Sequence, residues 1–306
     1  PYGEEGCWIL MNRAGIIVID KPAGCSSFKV VQTVKKALGV KRAGHTGTLD
    51  PFATGVLPVC VNEATKAIQF LSEDEKEYEG VLVLGTATDT FDVTGKIMAV
   101  SDVPNITFSD LQQVFAEFTG VVKQVPPPFS AVKFKGKPLY HWARRGVFIE
   151  KEAREVTIKE LTVEKAAFPE VSFRVVCSKG TYVRSLVHDI GQRIGCGAYL
   201  KELRRLRSGP FTIEQAVAIE AVEDKYLLPI SDALGYLPGV EVDEPQATEV
   251  QQGRELFLEK TEVASGCRKT GRPWVRIISR YGDLLAIYTW RDNSGNLKPV
   301  RVFKRL

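Results

Sequence analysis

Gly44-His45-Thr46-Gly47-Thr48-Leu49-Asp50-Pro51-Phe52-Ala53-Thr54-Gly55 is the most informative stretch of this sequence. Its three glycines and its proline make it too irregular for a helix or an ordinary strand. One interpretation is a surface loop in which Asp50 simply begins a turn before Pro51. A functional interpretation competes with it, because His45 and Asp50 lie five positions apart and residues 34–45 carry four basic side chains and no acid.

The carboxylate of Asp50 is suited to act as a nucleophile or as a general base, and the residues alone leave both roles open. No second carboxylate lies nearby in the sequence for the paired acid–base chemistry of a glycosidase. The stretch also lacks the GxxxxGK[ST] pattern of a phosphate-binding P-loop. These two reaction classes are therefore not supported.

Length and composition indicate a globular protein with two domains. The chain has 306 residues, of which 44% are hydrophobic and 25% charged, which excludes a disordered chain, a collagen-like repeat and a coiled coil. No apolar run reaches the roughly 18 residues that span a membrane, and no secretory signal is visible. The six cysteines form no CxxC pair and none lies at metal-ligand spacing from a histidine, which argues against a zinc site; scattered single thiols fit a reducing cytosol.

Apolar periodicity and capping residues predict strands and helices that do not alternate regularly. This order favours an α+β fold with a mixed sheet over a doubly wound sheet. The predicted strands are residues 16–19, 79–85 with Tyr78 at the start, and 171–178; the predicted helices begin at Ser26 or Ser27 (to about Leu38), at Ser109 (ending before Gly120) and at Val183 (to Ile194).

A change in composition near Leu237-Pro238-Gly239 predicts a domain boundary. Short strands follow at residues 274–279, 284–290 and 300–303, so residues 237–306 are expected to form a small β-rich module. Residues 11–236 would then form the larger, catalytic domain. Because Met11 begins a segment typical of a natural start, residues 1–10 are interpreted as an upstream or vector-derived segment.

Several motifs in a fixed order identify a family. The chain closely resembles the TruB-type pseudouridine synthases, the bacterial tRNA pseudouridine-55 synthases, from about Gly15 to its C-terminus. The resemblance implies a mixed-sheet catalytic domain with flanking helices, followed by a C-terminal module similar to a PUA domain, an RNA-binding β-barrel. The motifs are Asp20-Lys21-Pro22 with Ser26-Ser27, residues 44–55, Lys76-Glu77-Tyr78, Thr88-Asp89-Thr90-Phe91-Asp92 with Gly95, Gln124-Val125-Pro126-Pro127, Ser178-Lys179-Gly180-Thr181-Tyr182-Val183-Arg184, and Leu203-Arg204-Arg205-Leu206.

The resemblance implies that the enzyme isomerises uridine 55 in the T-loop of tRNA to pseudouridine, without a cofactor or a metal. A cytoplasmic monomer with no obligate protein partner is expected, because the scattered thiols fit a reducing cytosol and tRNA presents a single target. The target base is stacked in a folded loop and must be flipped out before any chemistry. Asp50 matches the essential aspartate of the family, whose carboxylate attacks either C6 of the base or C1′ of the sugar. The sequence leaves that choice open.

The same resemblance implies a role for two residues beside Asp50. Tyr78 matches the tyrosine that stacks on the flipped uracil, although the residue alone is typical of a half-buried strand aromatic. Arg184 matches an arginine that could pair bidentately with Asp50 and hold it ionised. Without the resemblance, Arg184 would be interpreted as a solvated helix residue.

Four further residues are expected to bind the substrate by the same match. Tyr182 would contact the uridine and Leu203 would pack against it, although composition alone makes Leu203 ordinary core. His45 would enter the T-loop and occupy the space of the flipped nucleotides. Lys21 belongs to a strand-to-loop element near the site and is a candidate phosphate contact. Asp89 and Asp92 are interpreted as turn formers rather than as a catalytic carboxylate pair.

Charge distribution bears on the choice between function classes. The net charge of +4 is small for a nucleic-acid-binding protein, but residues 123–154, 184–207 and 264–306 carry +6, +4 and +8, whereas residues 63–117 and 210–249 carry −8 each. We therefore expect a basic, RNA-facing side and an acidic back. Two other hypotheses remain: a tRNA-binding or tRNA-folding protein with secondary catalysis, and a nucleoside hydrolase in which Asp50 acts with a water.

Overall fold

The computed structural model describes residues 14–149, 151–257, 273–290 and 296–304. The segment interpreted as an upstream one, residues 1–10, lies outside the described residues. The helices are α1 (Ser27–Ala37), α2 (Ile68–Leu71), α3 (Phe108–Glu117), α4 (Leu139–Ala143), α5 (Val183–Ile194), α6 (Ile230–Ala233) and α7 (Glu244–Gln251), with short 3-10 turns at Asn62–Ala67, Ile213–Gln215, Ile219–Ala221 and Asp224–Tyr226.

The strands follow in chain order. They are β1 (Gly15–Lys21), β2 (Ala43–His45), β3 (Thr54–Val61), β4 (Lys76–Leu84), β5 (Thr86–Thr88), β6 (Ile97–Val100), β7 (Gly120–Gln124), β8 (Lys133–Phe134), β9 (Lys137–Pro138), β10 (Arg154–Ala167), β11 (Glu170–Cys177), β12 (Ala198–Ser208), β13 (Phe211–Thr212), β14 (Val217–Ala218), β15 (Gly239–Val242), β16 (Leu256–Phe257), β17 (Trp274–Ser279), β18 (Leu284–Trp290) and β19 (Asn296–Val302).

A ten-stranded mixed sheet organises the larger domain, which confirms the predicted α+β class. Its main path runs β14-β1-β3-β12-β4-β11-β10-β7, with β2 paired to β3 and β13 to β12. The pairs β1–β14 and β3–β12 are parallel and the others antiparallel. Sequence-distant strands thus become neighbours at the centre of the sheet, where β12 lies between β3 and β4.

Three helices cover one face of this sheet with their apolar sides. Val30, Val34, Leu111 and Leu186, from α1, α3 and α5, share one buried cluster with residues from the strands. Burying such apolar faces supplies the main stabilisation of the domain, at about 25 cal/mol per Å² removed from water. The helices thereby fix the strand ends and loops that converge on the centre of the sheet.

The helix boundaries agree with the sequence in two cases and correct it in a third. Ser26 caps α1 as expected, accepting a hydrogen bond from the Lys29 N–H, and α5 spans the predicted residues. The prediction that Ser109 caps α3 is wrong. Thr107 is the cap, because it forms a reciprocal capping box with Asp110, which satisfies two N–H groups that a Ser109 cap would leave open.

The strand boundaries differ from prediction where a partner strand extends them. The strand at Tyr78 begins earlier, at Lys76, and the two ends of residues 44–55 belong to β2 and β3 rather than to the loop. In β2, His45 pairs with Val59 of β3. The irregular part is therefore shorter than the sequence indicates, and residues 46–53 are named the Asp50 loop below.

A second, five-stranded sheet follows in the order β15-β17-β18-β19-β16. The predicted strands β17 and β18 are confirmed, whereas β19 begins at Asn296, four residues before the predicted start. The sheet packs on the larger domain through Trp274, whose ring meets Phe70 edge to face with the centroids 5.0 Å apart. The division of the chain at residue 237 stays a prediction. No helix of the described ranges is long and apolar enough to cross a membrane.

Candidate active site

The Asp50 loop connects β2 to β3 and is anchored at the N-terminus of α1. The buried hydroxyl of Ser27 accepts a hydrogen bond from the Leu49 N–H (2.9 Å) and donates one to the Leu49 carbonyl (3.0 Å). A turn follows in which the Ala53 N–H donates to the Asp50 carbonyl. These bonds hold the backbone on both sides of Asp50, whose side chain keeps 32% of its surface exposed.

Arg184 lies in the first turn of α5 and binds Asp50 with two bonds. Its Nε donates to Oδ2 at 2.7 Å and its Nη2 to Oδ1 at 3.2 Å. The predicted bidentate pairing is thus confirmed. The expectation for the residue alone, a solvated helix arginine, is wrong, since the side chain of Arg184 is only 4% exposed.

The remaining donors of Arg184 bind groups that sequence reasoning did not connect with it. Nη1 donates to the Thr90 carbonyl and Nη2 to the Phe129 carbonyl, at 2.9 and 3.0 Å. Nη1 also lies 3.4 Å from Oδ2 of Asp92, a carboxylate that is itself buried. The other oxygen of Asp92 accepts bonds from the Thr94 N–H and hydroxyl.

Asp89 and Asp92 do form turns, as the sequence predicts. Asp89 accepts the Lys96 N–H at 2.8 Å, and Asp92 closes the turn to Thr94. The sequence did not predict that Asp92 also supplies a second carboxylate to the Arg184 guanidinium. The only signal available was the position of Asp92 in the motif that begins at Thr88.

Tyr182 precedes α5 and is held by a buried glutamine that the sequence analysis did not single out as functional. The amide of Gln124 donates to the Tyr182 carbonyl at 3.0 Å and accepts the Tyr182 N–H at 2.7 Å. Burial raises the pKa of the Tyr182 phenol above its ordinary value. The phenol is therefore a neutral, half-buried group two residues before Arg184.

Tyr78 and Leu203 belong to the same buried cluster as Leu49 of the Asp50 loop. Both are 8% exposed, and burial raises the pKa of the Tyr78 phenol. Beside the loop lies a cavity of about 700 Å³, whose lining includes Pro51, Phe52 and Leu203 together with charged side chains such as Glu79 and Arg204. Asp50, Tyr78 and Arg184 do not belong to its lining, so this cavity adjoins the candidate site without containing it.

His45 ends β2 with its ring partly buried, and burial lowers the pKa of its imidazole, with the charge of Arg205 lowering it further. The imidazole is therefore neutral at pH 7. The role of His45 in entering the T-loop stays a prediction.

The expectation that Lys21 contacts phosphate needs correction. Its side chain is 0% exposed, and its ammonium donates to the carbonyls of Pro22 and Cys25 (both 2.8 Å) and of Pro51 (3.3 Å). Three carbonyls satisfy the three N–H donors of a lysine, so no donor is left for a phosphate. Lys21 instead ties the end of β1 to the Asp50 loop.

The basic segments differ in what they offer to a polyanion. In residues 184–207 two arginines are buried and the other four basic side chains pair with acids, so that segment presents little free charge. In residues 123–154 seven of the eight basic side chains are exposed. Aromatic rings accompany some of them, such as Tyr140 under Arg144. The C-terminal basic segment lies partly outside the described residues, and the predicted common basic face stays a prediction.

Comparisons with known proteins agree over nearly the whole chain. Residues 35–183 match the model of the TruB family pseudouridylate synthase N-terminal domain, and residues 184–234 match that of the tRNA pseudouridylate synthase B C-terminal domain. The chain is 43% identical over 302 residues to a tRNA pseudouridine synthase B from Geobacter sulfurreducens, covering 94% of this chain and 99% of the relative. It is 46% identical over 303 residues to the protein of that name from Geotalea uraniireducens, with 94% and 97% covered.

Solved structures with the same fold come from H/ACA ribonucleoproteins. One is from an H/ACA RNP bound to a substrate RNA containing 2'-deoxyuridine, with a TM-score of 0.69 at 26% identity, covering 95% of this chain and 85% of the other. Another is from a Cbf5-Nop10-Gar1 complex, with a TM-score of 0.69 at 29% identity and 95% and 84% covered. The likeness extends through the small C-terminal sheet, consistent with a PUA-like module.

Proposed function

Because the chain belongs to the TruB family of pseudouridylate synthases, we propose that Asp50 is the nucleophile with which it isomerises uridine 55 of tRNA. The enzyme is an isomerase that forms pseudouridine in tRNA. The observation that carries the assignment to Asp50 is the bidentate pairing of the buried Arg184 with a carboxylate that keeps 32% of its side-chain surface exposed.

The reaction rearranges bonds within one nucleotide. After the base leaves the stack, the carboxylate of Asp50 forms a bond to C6 of uracil or to C1′ of ribose. The bond between N1 and C1′ breaks, uracil turns within the site, and C5 bonds to C1′. Loss of the C5 proton, gain of a proton at N1 and release of Asp50 complete the isomerisation, so atoms and electrons balance within the RNA and the enzyme.

Arg184 orients the nucleophile in this proposal. Its shorter bond, 2.7 Å, holds Oδ2, whereas the bond to Oδ1 is 3.2 Å. Charge-assisted bidentate bonds of this kind fix the plane of a carboxylate. The more weakly held Oδ1 is thus the oxygen that we assign to the attack, while Oδ2 keeps the carboxylate in place.

The pocket residues hold the flipped base in the same proposal. The ring of Tyr78 stacks on uracil, a contact worth about 1–3 kcal/mol per base, and Leu203 and Tyr182 close the other sides. His45 enters the T-loop as a neutral imidazole and compensates for part of the lost stacking. The support for this arrangement is the shared buried cluster of Tyr78 and Leu203 with the Asp50 loop.

Binding of the rest of the tRNA is assigned to two regions. In this proposal the basic side chains of residues 123–154, most of which are exposed, contact phosphates, and the module of residues 237–306 adds further RNA contacts. We also propose that the enzyme acts as a monomer in the cytoplasm, without the Nop10 or Gar1 partners named for its structural relative.

The test is incubation of the protein with a T-arm stem-loop RNA, followed by mapping of pseudouridine and measurement of free uracil. The expected result is pseudouridine at the T-loop uridine and no released uracil. Asp50→Asn should abolish conversion while RNA affinity stays within about threefold, since the substitution removes the nucleophile and keeps the shape. Pseudouridine formed by the variant would contradict the assignment, and free uracil would indicate a hydrolase.

A further inference from the structure

A second buried arginine lies beneath the Asp50 loop and has no role in the mechanism above. Arg205 of β12 is 1% exposed and has the largest fully buried side chain in the described part of the chain. Its Nε donates to the Val56 carbonyl at 2.7 Å and its Nη2 to the Gly47 carbonyl at 3.1 Å. These two bonds go to backbone oxygens and not to a carboxylate, and the guanidinium also lies beside the phenol of Tyr78, whose pKa burial raises and this guanidinium lowers.

The two carbonyls lie at opposite ends of the loop. Gly47 is the second residue of the Asp50 loop, and Val56 follows its last residue by three positions in β3. One rigid guanidinium therefore bridges the chain where it enters the loop and where it leaves it. Because guanidinium is planar with its donors in a fixed fork, it holds both carbonyls in one relative position.

The backbone of Arg205 contacts the same region. In the parallel pair of β3 and β12, Arg205 lies opposite Gly55, and in the antiparallel pair with β4 it lies opposite Tyr78. A side chain at Gly55 would collide with the Arg205 carbonyl oxygen, and Gly55 has φ +99, a region that favours glycine. Arg205 thus contacts the Asp50 loop and the start of β3 with both its backbone and its side chain.

Burial of the Arg205 charge is unfavourable by itself, because removing a guanidinium from water destabilises the fold, whereas burying an apolar side chain of similar volume does not. Packing alone would be served by methionine or leucine at this position. The arrangement that only arginine supplies is a simultaneous bond to Gly47 and Val56.

We propose that Arg205 is a positioning residue for the reaction, which sets the conformation of the Asp50 loop by bridging Gly47 and Val56. The inference rests on the proposed role of Asp50 as the nucleophile. Arg205 does not contact the reacting atoms. It sets the position of the Asp50 carboxylate relative to the Arg184 guanidinium and to the flipped base.

The test compares Arg205→Met with a matched control, Arg276→Met. Arg276 of β17 is partly buried and, like Arg205, donates to backbone carbonyls, those of Leu237, Ser231 and Gly235, far along the chain from the Asp50 loop. Both variants lose an arginine bound to carbonyls, so both are destabilised. The measurements are the single-turnover rate at saturating T-arm RNA, the RNA dissociation constant and the thermal midpoint.

Arg205→Met should lower the single-turnover rate by on the order of 100-fold, the effect of a displacement of about 1 Å of a reacting group, with the dissociation constant within about threefold. Arg276→Met should keep the rate of the folded fraction within about threefold. Arg205→Lys should recover part of the rate, since an ammonium reaches one carbonyl but does not bridge both.

Four results would overturn the inference: an Arg205→Met rate close to wild type, an equal loss in Arg276→Met, a loss confined to RNA affinity, or failure of both Arg205 variants to fold, which would make Arg205 a folding residue. The proposed function is tested separately in the same experiment by the wild-type protein. If wild type forms no pseudouridine, the function assignment fails; if wild type and Arg205→Met are equally active, only the positioning role fails.

Discussion

Two hydrogen bonds between the Gln124 side chain and the Tyr182 backbone connect the stability of the fold to the geometry of the site. The substitution Gln124→Leu tests this connection. Leucine keeps approximately the volume of glutamine and removes both hydrogen bonds, each worth about 1 kcal/mol. The Tyr182 carbonyl keeps a partner, the Leu186 N–H, whereas the Tyr182 N–H loses the partner that it has in Gln124. An unpaired buried N–H costs about 1–3 kcal/mol, so we expect a loss of about 2–4 kcal/mol in the free energy of unfolding.

The assay is thermal unfolding together with the single-turnover rate on T-arm RNA. For a domain of this size the expected loss corresponds to about 5–10 °C in the unfolding midpoint. The rate of the folded fraction should fall by on the order of tenfold, because Tyr182 is the residue at the N-cap position of the helix that carries Arg184. Gln112→Leu, at an exposed position of α3, is the control and should change neither. A midpoint within 1 °C of wild type with an unchanged rate would refute this reasoning.

Three other expectations follow from the same contacts. Gly55→Ala should lower the unfolding free energy by about 2–4 kcal/mol and reduce the rate, measured by denaturant titration and single turnover, because an L side chain is strained there and collides with the Arg205 backbone; wild-type stability would contradict it. Burial raises the pKa of the Asp189 carboxyl from its ordinary value of 3.8 to about 6. Between these two pH values the carboxyl keeps its proton in the folded protein and loses it in the unfolded chain. The free energy of unfolding therefore falls as the pH rises from 3.8 to about 6. This shift in pKa corresponds to at most about 3 kcal/mol of stability, or about 1–2 kcal/mol for a partly exposed group. Asp189→Asn should therefore raise the free energy of unfolding by about 1–2 kcal/mol at pH 7.5 and by about a third of that at pH 4.5. An equal gain at both pH values would disprove burial of the charge as the cause. Arg184→Lys should lower the single-turnover rate by on the order of 100-fold, since lysine keeps the charge but not the bidentate geometry on Asp50, and a rate within threefold of wild type would argue against the orienting role.

Local elements of the fold could be predicted from the sequence because short-range physics decides them. The Ser26 cap of α1 and the bounds of α5, with Gly195 in the left-handed conformation after it, depend on neighbours a few residues apart. Where two residues in one segment could both cap a helix, the outcome depends on which of them forms hydrogen bonds in both directions. Thr107 rather than Ser109 caps α3, because the Asp110 side chain binds the Thr107 N–H while the Thr107 side chain binds the Asp110 N–H. The pattern of apolar residues gave the α+β class but not the order of the strands.

In the candidate site, the family motifs were sufficient to predict from the sequence that Arg184 pairs with Asp50. They were not sufficient for Lys21, expected at phosphate and found bound to three carbonyls. Nor did they connect Asp92 with Arg184. The burial of a charged side chain depends on what lies above and below it in the folded sheet, and the spacing of residues along the chain does not contain that information.

By itself, therefore, the sequence determined the chemical groups of this enzyme: a nucleophilic carboxylate in an irregular loop, the aromatic side chains and the charge-bearing segments. Tertiary structure alone decided which charges face one another. The strand order β3-β12-β4 places Arg205 under a loop about 150 positions earlier in the chain, bonded to Val56 at a separation of 149 residues. Parallel pairing of β3 with β12 sets that contact, because register in a sheet is decided by the burial of whole strand faces and not by local sequence.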